Sequence, residues 1–381
     1  MPNVFLKDVV SHIKDKVDKD NTELKYYIGG EHFETGELTI SMRGTIKGST
    51  IGPAFHMRFM PGDVLLMSRN PHLRKAGVVD FEGICSDVSY VCRTKDSSVL
   101  LQEFLPFIFQ TDAFWRFAEE NKKGSTNFFL NWSDFEKYEF YLPDTSTQGK
   151  LAELLWSFED TKAAYKKLLL ATDELVKSQF LEMFCTGYKE EETVSVKECC
   201  KAITGGNTPS MKHPEYYGGN VPFIKSGDVK TDHVSQGALW LTEEALNRTT
   251  AKLVPAGAVV VVVRSAALRH EFHAAITDSP VVINQDIKAF HPKTDVLPEY
   301  LYWAIKSREN DLLQNVQTML TSHIETKDVS ELRVKKATVA EQMEWQKFVK
   351  QSDESKNELE QAMDASSAMY KKILDGAFTC E

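Results

Sequence analysis

The sequence predicts an α+β protein made of two pseudo-repeated units, each a mixed α/β module followed by a long amphipathic helix. Three observations predict it. Short motifs recur in the same order in the two halves, two long stretches of helical apolar spacing stand at a constant offset, and polar loops fall at corresponding places between them.

Taken in chain order, the halves open alike, with Phe5-Leu6-Lys7-Asp8-Val9 against Ser195-Val196-Lys197-Glu198-Cys199. Tyr27-Ile28-Gly29-Gly30 then corresponds to Phe223-Ile224-Lys225-Ser226. A turn and an apolar run follow, Phe59-Met60-Pro61-Gly62-Asp63-Val64-Leu65-Leu66 in one half and Leu253-Val254-Pro255-Ala256-Gly257-Ala258-Val259-Val260 in the other. Val259 to Val263, between Gly257 and Arg264, is too short for a membrane span and reads as a buried strand. An arginine succeeds each run (Arg69, Arg264), and a polar loop succeeds the arginine. Leu101-Gln102-Glu103-Phe104-Leu105 parallels Leu297-Pro298-Glu299-Tyr300-Leu301, each the start of an expected helix.

The closing segments match best. Asp134-Phe135, Tyr138, Phe140 and Gln148 fall opposite Asp328-Val329, Leu332, Val334 and Gln342. Asp328 lies 194 positions after Asp134, Gln342 194 after Gln148, and Phe378 194 after Phe184. In the helix that follows the first module, Leu151, Leu155, Phe158, Tyr165 and Leu169 recur every three or four residues or at sums of these steps, and Trp345, Phe348, Leu359, Met363 and Tyr370 do so in the second. This is coiled-coil spacing sustained over about five heptads, roughly 54 Å of helix. A lone helix with one apolar stripe needs a partner, and the partner expected for each is the other, packed antiparallel. The expected domains are a first module over 1–147, a long spacer helix over 148–187, a second module over 188–341 and a second long helix over 342–381.

Composition bounds the function. With 42% hydrophobic and 26% charged residues among 381 and a mean hydropathy of −0.33, the chain has the make-up of a soluble globular protein. It shows neither a spanning apolar run nor a basic-then-apolar leader, so a cytoplasmic protein is expected. The six cysteines lack Cys-x-x-Cys spacing and are expected to be free thiols. A formal charge of −10 is wrong for a protein that holds DNA by bulk electrostatics. A DNA ligand would require basic residues gathered on one face, or partner subunits that supply the phosphate contacts.

The chemistry of catalysis is missing. There is no Gly-x-x-x-x-Gly-Lys-Ser/Thr loop, and Thr204-Gly205-Gly206-Asn207-Thr208-Pro209 is a turn by composition. Asn70-Pro71-His72-Leu73 lacks the second proline and the stacking aromatic of an amino-methyltransferase motif. His270-Glu271-Phe272-His273 is one residue short of a zinc-binding His-Glu-x-x-His. The expectation is therefore a chain with no catalytic residue, no metal and no cofactor of its own, and catalysis in a partner.

What remains suits groove contact. Ser68 to Lys75 corresponds to Arg264 to His270, and Lys122 to Asn127 to Gln317 to His323. Arg and Lys serve phosphates and guanine edges, Asn serves adenine, and Ser or Thr serve either. The candidate DNA-binding residues are Arg43, Lys47, Arg69, Asn70, His72, Arg74, Lys75, Lys122, Lys123, Ser125 and Asn127 in the first half. In the second they are Lys212, Lys225, Arg264, Arg269, His270, His273, Ser322 and His323.

The order of motifs resembles the specificity subunits of type I restriction–modification systems over essentially the whole chain. The likeness is carried by Tyr27-Ile28-Gly29-Gly30-Glu31-His32, by Gly206-Asn207-Thr208-Pro209-Ser210, by Tyr216 to Val229, by the Pro61-Gly62-Asp63 turn, and by Lys177 to Phe184 at the end of the first helix. The family's Leu-Pro-Pro-Leu-x-Glu-Gln lead into the helix is reduced here to Leu142-Pro143-Asp144 with Gln148, and to Glu341-Gln342. The resemblance implies two target recognition domains that read the two parts of a split DNA site. It also implies an antiparallel coiled coil that sets the spacer, and two methyltransferase subunits that use S-adenosylmethionine to modify adenine. With restriction subunits added, ATP and Mg would drive translocation and cleavage. A DNA adenine methyltransferase in its own right and a coiled-coil scaffold that binds no DNA are the alternative readings.

Overall fold

A computed structural model describes residues 3–187, 189–318 and 323–378. The chain divides into two units, Met1–Lys167 with Glu360–Glu381, and Leu168–Leu359.

The first unit contributes strands β1 (Asn3–Phe5), β2 (Val10–Ile13), β3 (Tyr26–Ile28), β4 (Gly44–Thr45), β5 (Phe55–Phe59), β6 (Val64–Met67), β7 (Ala76–Val78), β8 (Gly83–Ser86), β9 (Ser89–Thr94) and β10 (Glu139–Tyr141). They form an antiparallel sheet β2-β9-β6-β7, a mixed sheet β4-β3-β8-β5 in which β3 and β8 run parallel, and the small pair β1-β10. All four residues of β6 are buried, which is why this segment reads as an unbroken apolar run. Their side chains alternate between two layers, as a pleated strand requires. Val64 and Leu66 join the helical layer with Phe104, Phe107 and Phe114, while Leu65 and Met67 join Ile28 and Phe59 of the mixed sheet.

The second unit contributes β11 (Thr193–Ser195), β12 (Cys200–Gly205), β13 (Tyr217–Ile224), β14 (His233–Val234), β15 (Leu239–Leu241), β16 (Leu253–Val254), β17 (Val259–Val262), β18 (Ala274–Thr277), β19 (Val281–Ile283), β20 (Ile287–Pro292) and β21 (Arg333–Lys335). Its sheets are β12-β20-β17-β18-β14, β15-β13-β19-β16 and β11-β21, again with one parallel pair, β13 with β19, in the mixed sheet. Val259 and Val261 face a layer with Tyr300 and Trp303, and Val260 and Val262 face Ile224, Val281 and Ile283. Among the described residues, the second unit has one strand more, β14 beside β18. Where it lies in the second unit, the first has a single bridge, Thr39 with Val78.

The long helices span Thr145–Phe184 and Val339–Ala377. Near the start of each, one buried glutamine closes three main-chain valences. Gln148 accepts from Leu101 N (2.9 Å) and donates to the carbonyls of Val99 and Pro143 (both 2.8 Å). Gln342 accepts from Leu297 N (2.7 Å) and donates to Asp295 O (3.1 Å) and Ala337 O (3.0 Å). Within the first unit, Phe158 of one helix meets Tyr370 of the other at 6.2 Å between ring centroids. Within the second, Phe180 meets Trp345 at 5.1 Å, and Lys356 pairs with Asp173 at 3.2 Å. Of the expected apolar seam, Leu155, Trp345 and neighbouring Val176 and Phe180 are buried. Leu151, Phe158, Tyr165, Leu169, Phe348, Leu359, Met363 and Tyr370 are half-buried.

Cys85, Cys92, Cys185, Cys199 and Cys200 are free, and burial pushes the Cys85 thiol up to about 12; Cys380 lies outside the described residues. No helix among the described residues is long and apolar enough to cross a membrane.

Candidate nucleic-acid interface

In the first unit, the two polar loops singled out in the sequence are stitched together by main chain. The chain leaves β6 at Ser68, whose carbonyl accepts from Leu130 N (2.9 Å), and Asn70 N donates to Phe128 O (2.9 Å). Lys123 and Phe129 exchange hydrogen bonds of 2.8 and 3.0 Å, so residues 122–130 form a narrow hairpin against 68–75. Between them a short turn, Pro71–Leu73, is flanked by two residues in the left-handed region, Asn70 (φ 51°) and Arg74 (φ 47°). Asparagine tolerates that conformation, whereas arginine gives up roughly 1–2 kcal/mol to adopt it. The strain is held by Leu73 N to Asn70 O (2.8 Å), by Arg74 N to Pro71 O (2.9 Å), and by the burial of Pro71. Strain retained in an exposed polar loop is a pointer to function.

The side chains of this loop pair fall into two sets. Arg74 pairs with Asp112 (2.5 Å), Lys75 donates to Gly30 O (2.6 Å), Lys122 pairs with Glu119 (2.6 Å), and Lys123 pairs with Asp134 (2.7 Å). Hydrogen bonds from Lys371 and then Arg74 hold the Asp112 carboxyl below the usual carboxylate range. A hydrogen bond from Lys123 does the same for Asp134. Three of these four cations, Arg74, Lys122 and Lys123, are thus partly neutralised from within, in keeping with the acidic chain. Arg69, His72, Ser125 and Asn127 are exposed, and Arg69 lies 5.5 Å from the centroid of the Phe129 ring. Lys122 sits over Phe128 at 4.3 Å. A groove of about 430 Å³ runs past His72, Arg74, Asp112, Trp115, Arg116 and Glu119.

The second unit builds the same junction from different letters. Ile324 N donates to Val263 O (2.8 Å), and His323 Nδ1 donates to the same carbonyl (2.9 Å), which places His323 beside Arg264 in an antiparallel bridge. Val263 N and Arg264 N both donate to Asp286 O (2.8 and 3.2 Å). The loop then turns through Ala266–Arg269 with Leu268 buried beneath it. Arg264, Arg269 and His270 are exposed at this surface. His273 is half-buried, 3.7 Å from the Glu271 carboxylate. Ser322 lies outside the described residues.

Four candidates stand elsewhere. Arg43 stacks on Tyr26 and Phe81 (4.3 and 4.5 Å to the centroids) beside β4, at one edge of the mixed sheet, and exposed Lys47 lies in the turn after it. Lys212 and Lys225 are exposed before and after β13. Sequence reasoning missed the turn Asn284–Asp286, on which the Arg264 loop rests. Its signal was the polar break in Val281-Val282-Ile283-Asn284-Gln285-Asp286-Ile287. It also missed Phe128 and Phe129, the two aromatics under the cations of the first unit.

Residues 188–365 match a family described as the type I restriction modification DNA specificity domain. Over 111 residues the chain is 36% identical to the type I restriction enzyme EcoR124I/EcoR124II specificity subunit of Escherichia coli, covering 29% of this chain and 28% of that protein. Over 109 residues it is 31% identical to the type I restriction enzyme MjaIX specificity subunit of Methanocaldococcus jannaschii, covering 28% of this chain and 24% of that one. The matched segments thus span about a quarter of the length of each relative. A solved chain from work on complex assembly and conformational transition of the type I R-M system superposes over 99% of this chain and 97% of its own, with a TM-score of 0.63 at 18% identity. That is a likeness of fold.

Proposed function

We propose that this chain, whose residues 188–365 match the family of type I restriction modification DNA specificity domains, is the DNA-reading subunit of a type I restriction–modification complex. The observation that carries the reading is the repeated junction. In each unit the loop leaving the central strand is laced by main chain to a second polar loop, Ser68 and Asn70 to residues 128–130, and Val263 to Ile324. A repeated frame that presents different side chains suits a ligand with two different halves, as a bipartite DNA target has.

The pseudo-repeat is supported by the matching glutamine clamps of Gln148 and Gln342 and by the parallel pair in each mixed sheet. Antiparallel pairing of the long helices is supported by the order of contacts inside the second unit, where residue 173 faces 356 and the later residue 180 faces the earlier 345. On this reading the helices set the number of base pairs between the half-sites.

The chain contributes recognition and no catalytic group. Methyltransferase subunits, two per specificity chain, bind S-adenosylmethionine and modify adenine in each half-site. Restriction subunits, where they join, use ATP and Mg to translocate and cleave. The partners supply most phosphate contacts, consistent with a chain of net charge −10. The complex works on DNA in the cytoplasm.

The test is the pattern of genomic adenine methylation in a cell that makes this chain with its modification subunit. A split motif with a fixed gap is expected. Methylation by this chain alone, or no retardation of duplex DNA by the assembled complex, overturns the reading.

A further inference from the structure

The turn between β19 and β20 carries an amide that the sequence did not single out. Gln285 is exposed, and its Oε1 accepts from Thr208 Oγ1 at 2.6 Å. Its Nε2 donates to Asp286 Oδ2 at 3.3 Å. The same Asp286 oxygen accepts from Asn284 Nδ2 at 3.0 Å, and Asp286 Oδ1 lies 3.9 Å from Arg264 Nη1. The amide is therefore held from both ends, and Asp286 is itself held by Asn284.

The backbone beneath it is equally fixed. Asn284 N donates to Ile224 O (3.0 Å), and Asn207 N donates to Ile283 O (3.1 Å). A Cβ on Gly206 would lie 2.1 Å from Ile283 O, so only glycine lets the 206–208 loop come this close to the turn. Asn207 is tied in turn to Thr250 through its Nδ2. The Thr208 and Gln285 side chains thus stand on a braced ledge next to Arg264, the arginine of the repeated junction.

A side-chain amide has two acceptor sites on oxygen and two protons on nitrogen. Thr208 takes one acceptor site and Asp286 one proton, which leaves one acceptor and one donor side by side. That pair is complementary to adenine N6–H and N7 in the major groove. We propose that Gln285 is a specificity-determining residue that reads an adenine in the half-site of the second unit, with Thr208 and Asp286 as positioning residues. Holding the amide in place before binding removes the rotamer freedom it would otherwise lose at the interface. This inference rests on the DNA-reading function above. The matching turn of the first unit, after β8, is Ser86-Asp87-Val88, in which Val88 O accepts from Ser68 N (2.8 Å) as Asp286 O does from Val263 N. An aspartate in place of the glutamine offers acceptors only, so the two units read different letters here.

The experiment selects bound sequences from a randomised duplex library with the full chain in complex with its modification subunit, for the wild type, Gln285→Ala, Gln285→Glu and Thr208→Val. If the wild-type complex selects no motif, the DNA-reading function itself fails. If it selects one, Gln285→Ala is expected to lose roughly ten- to hundredfold discrimination at a single adenine of one half-site, the range of a bidentate contact. Gln285→Glu is expected to shift that position towards cytosine, and Thr208→Val to weaken discrimination at the same position and no other. A wild-type motif that Gln285→Ala and Gln285→Glu both leave unchanged overturns the proposal, as does a loss spread evenly over all positions.

Discussion

Replacing Gln148 with alanine tests the clamp at the head of the first long helix. The side chain is fully buried and makes three hydrogen bonds, to Leu101 N, Val99 O and Pro143 O. Val99 is 44% exposed, so its carbonyl regains water when the amide is removed. The Pro143 carbonyl is buried and stays unsatisfied, and the part-buried Leu101 N–H stays so in part, at about 1–3 kcal/mol for a fully buried group. A loss of about 2–4 kcal/mol is expected. Gln148→Glu should destabilise at least as much, because it turns a carboxylate oxygen towards two carbonyls. A chain of two units need not unfold in one step. Urea denaturation should therefore be paired with segment-resolved hydrogen exchange, which should show residues 98–104 losing protection first. A change below about 0.5 kcal/mol with unaltered exchange in that segment would refute the reasoning.

Three further outcomes are expected. Phe180→Ala should destabilise by about 3–5 kcal/mol in urea, because Phe180 is buried against Phe184 at 4.9 Å and Trp345 at 5.1 Å. The Lys335 ammonium and then the Thr338 N–H hold the Glu341 carboxyl down at about 2, from 4.5. Its contribution is present above pH 4.5 and lost as pH falls towards 2, so melting temperatures of Glu341→Gln and wild type should converge over that window. Arg74→Gly relieves a left-handed backbone while breaking a surface ion pair with Asp112. These effects offset to within about 1 kcal/mol of stability, so a melting temperature near wild type with weaker duplex binding in a retardation assay is the expected pair of results.

The features most legible in the sequence were those with a period or a repeat. The apolar run at Val259 announced a buried strand, and the three- and four-residue spacing of Leu151, Leu155 and Phe158 announced a long helix, on which Leu155 is buried and Leu151 and Phe158 are half-buried. Gln148 and Gln342 stood out by their common offset, yet nothing in their letters told that each would close three main-chain valences. That depends on where residues 99–101 and 295–297 arrive in space. The candidate loops were legible as polar and paired, but their lacing was not, because main-chain hydrogen bonds leave no mark on residue type. For the same reason the internal partners of Arg74, Lys75, Lys122 and Lys123 could not be read from a count of charges. Gln285 went unnoticed because a lone amide between two strands looks like any turn residue until Thr208 is found beside it.

The lacing has a consequence for how recognition can change. Ser68, Asn70, Val263 and Arg264 anchor their loops through backbone N–H and C=O groups, which every residue except proline provides in full. Exposed side chains on such loops can be exchanged at roughly 0.5 kcal/mol or less in folding stability. Under the proposed DNA-reading function, the vocabulary of each unit is thereby decoupled from its grammar: new base preferences could be written into the loops without renegotiating the fold that carries them.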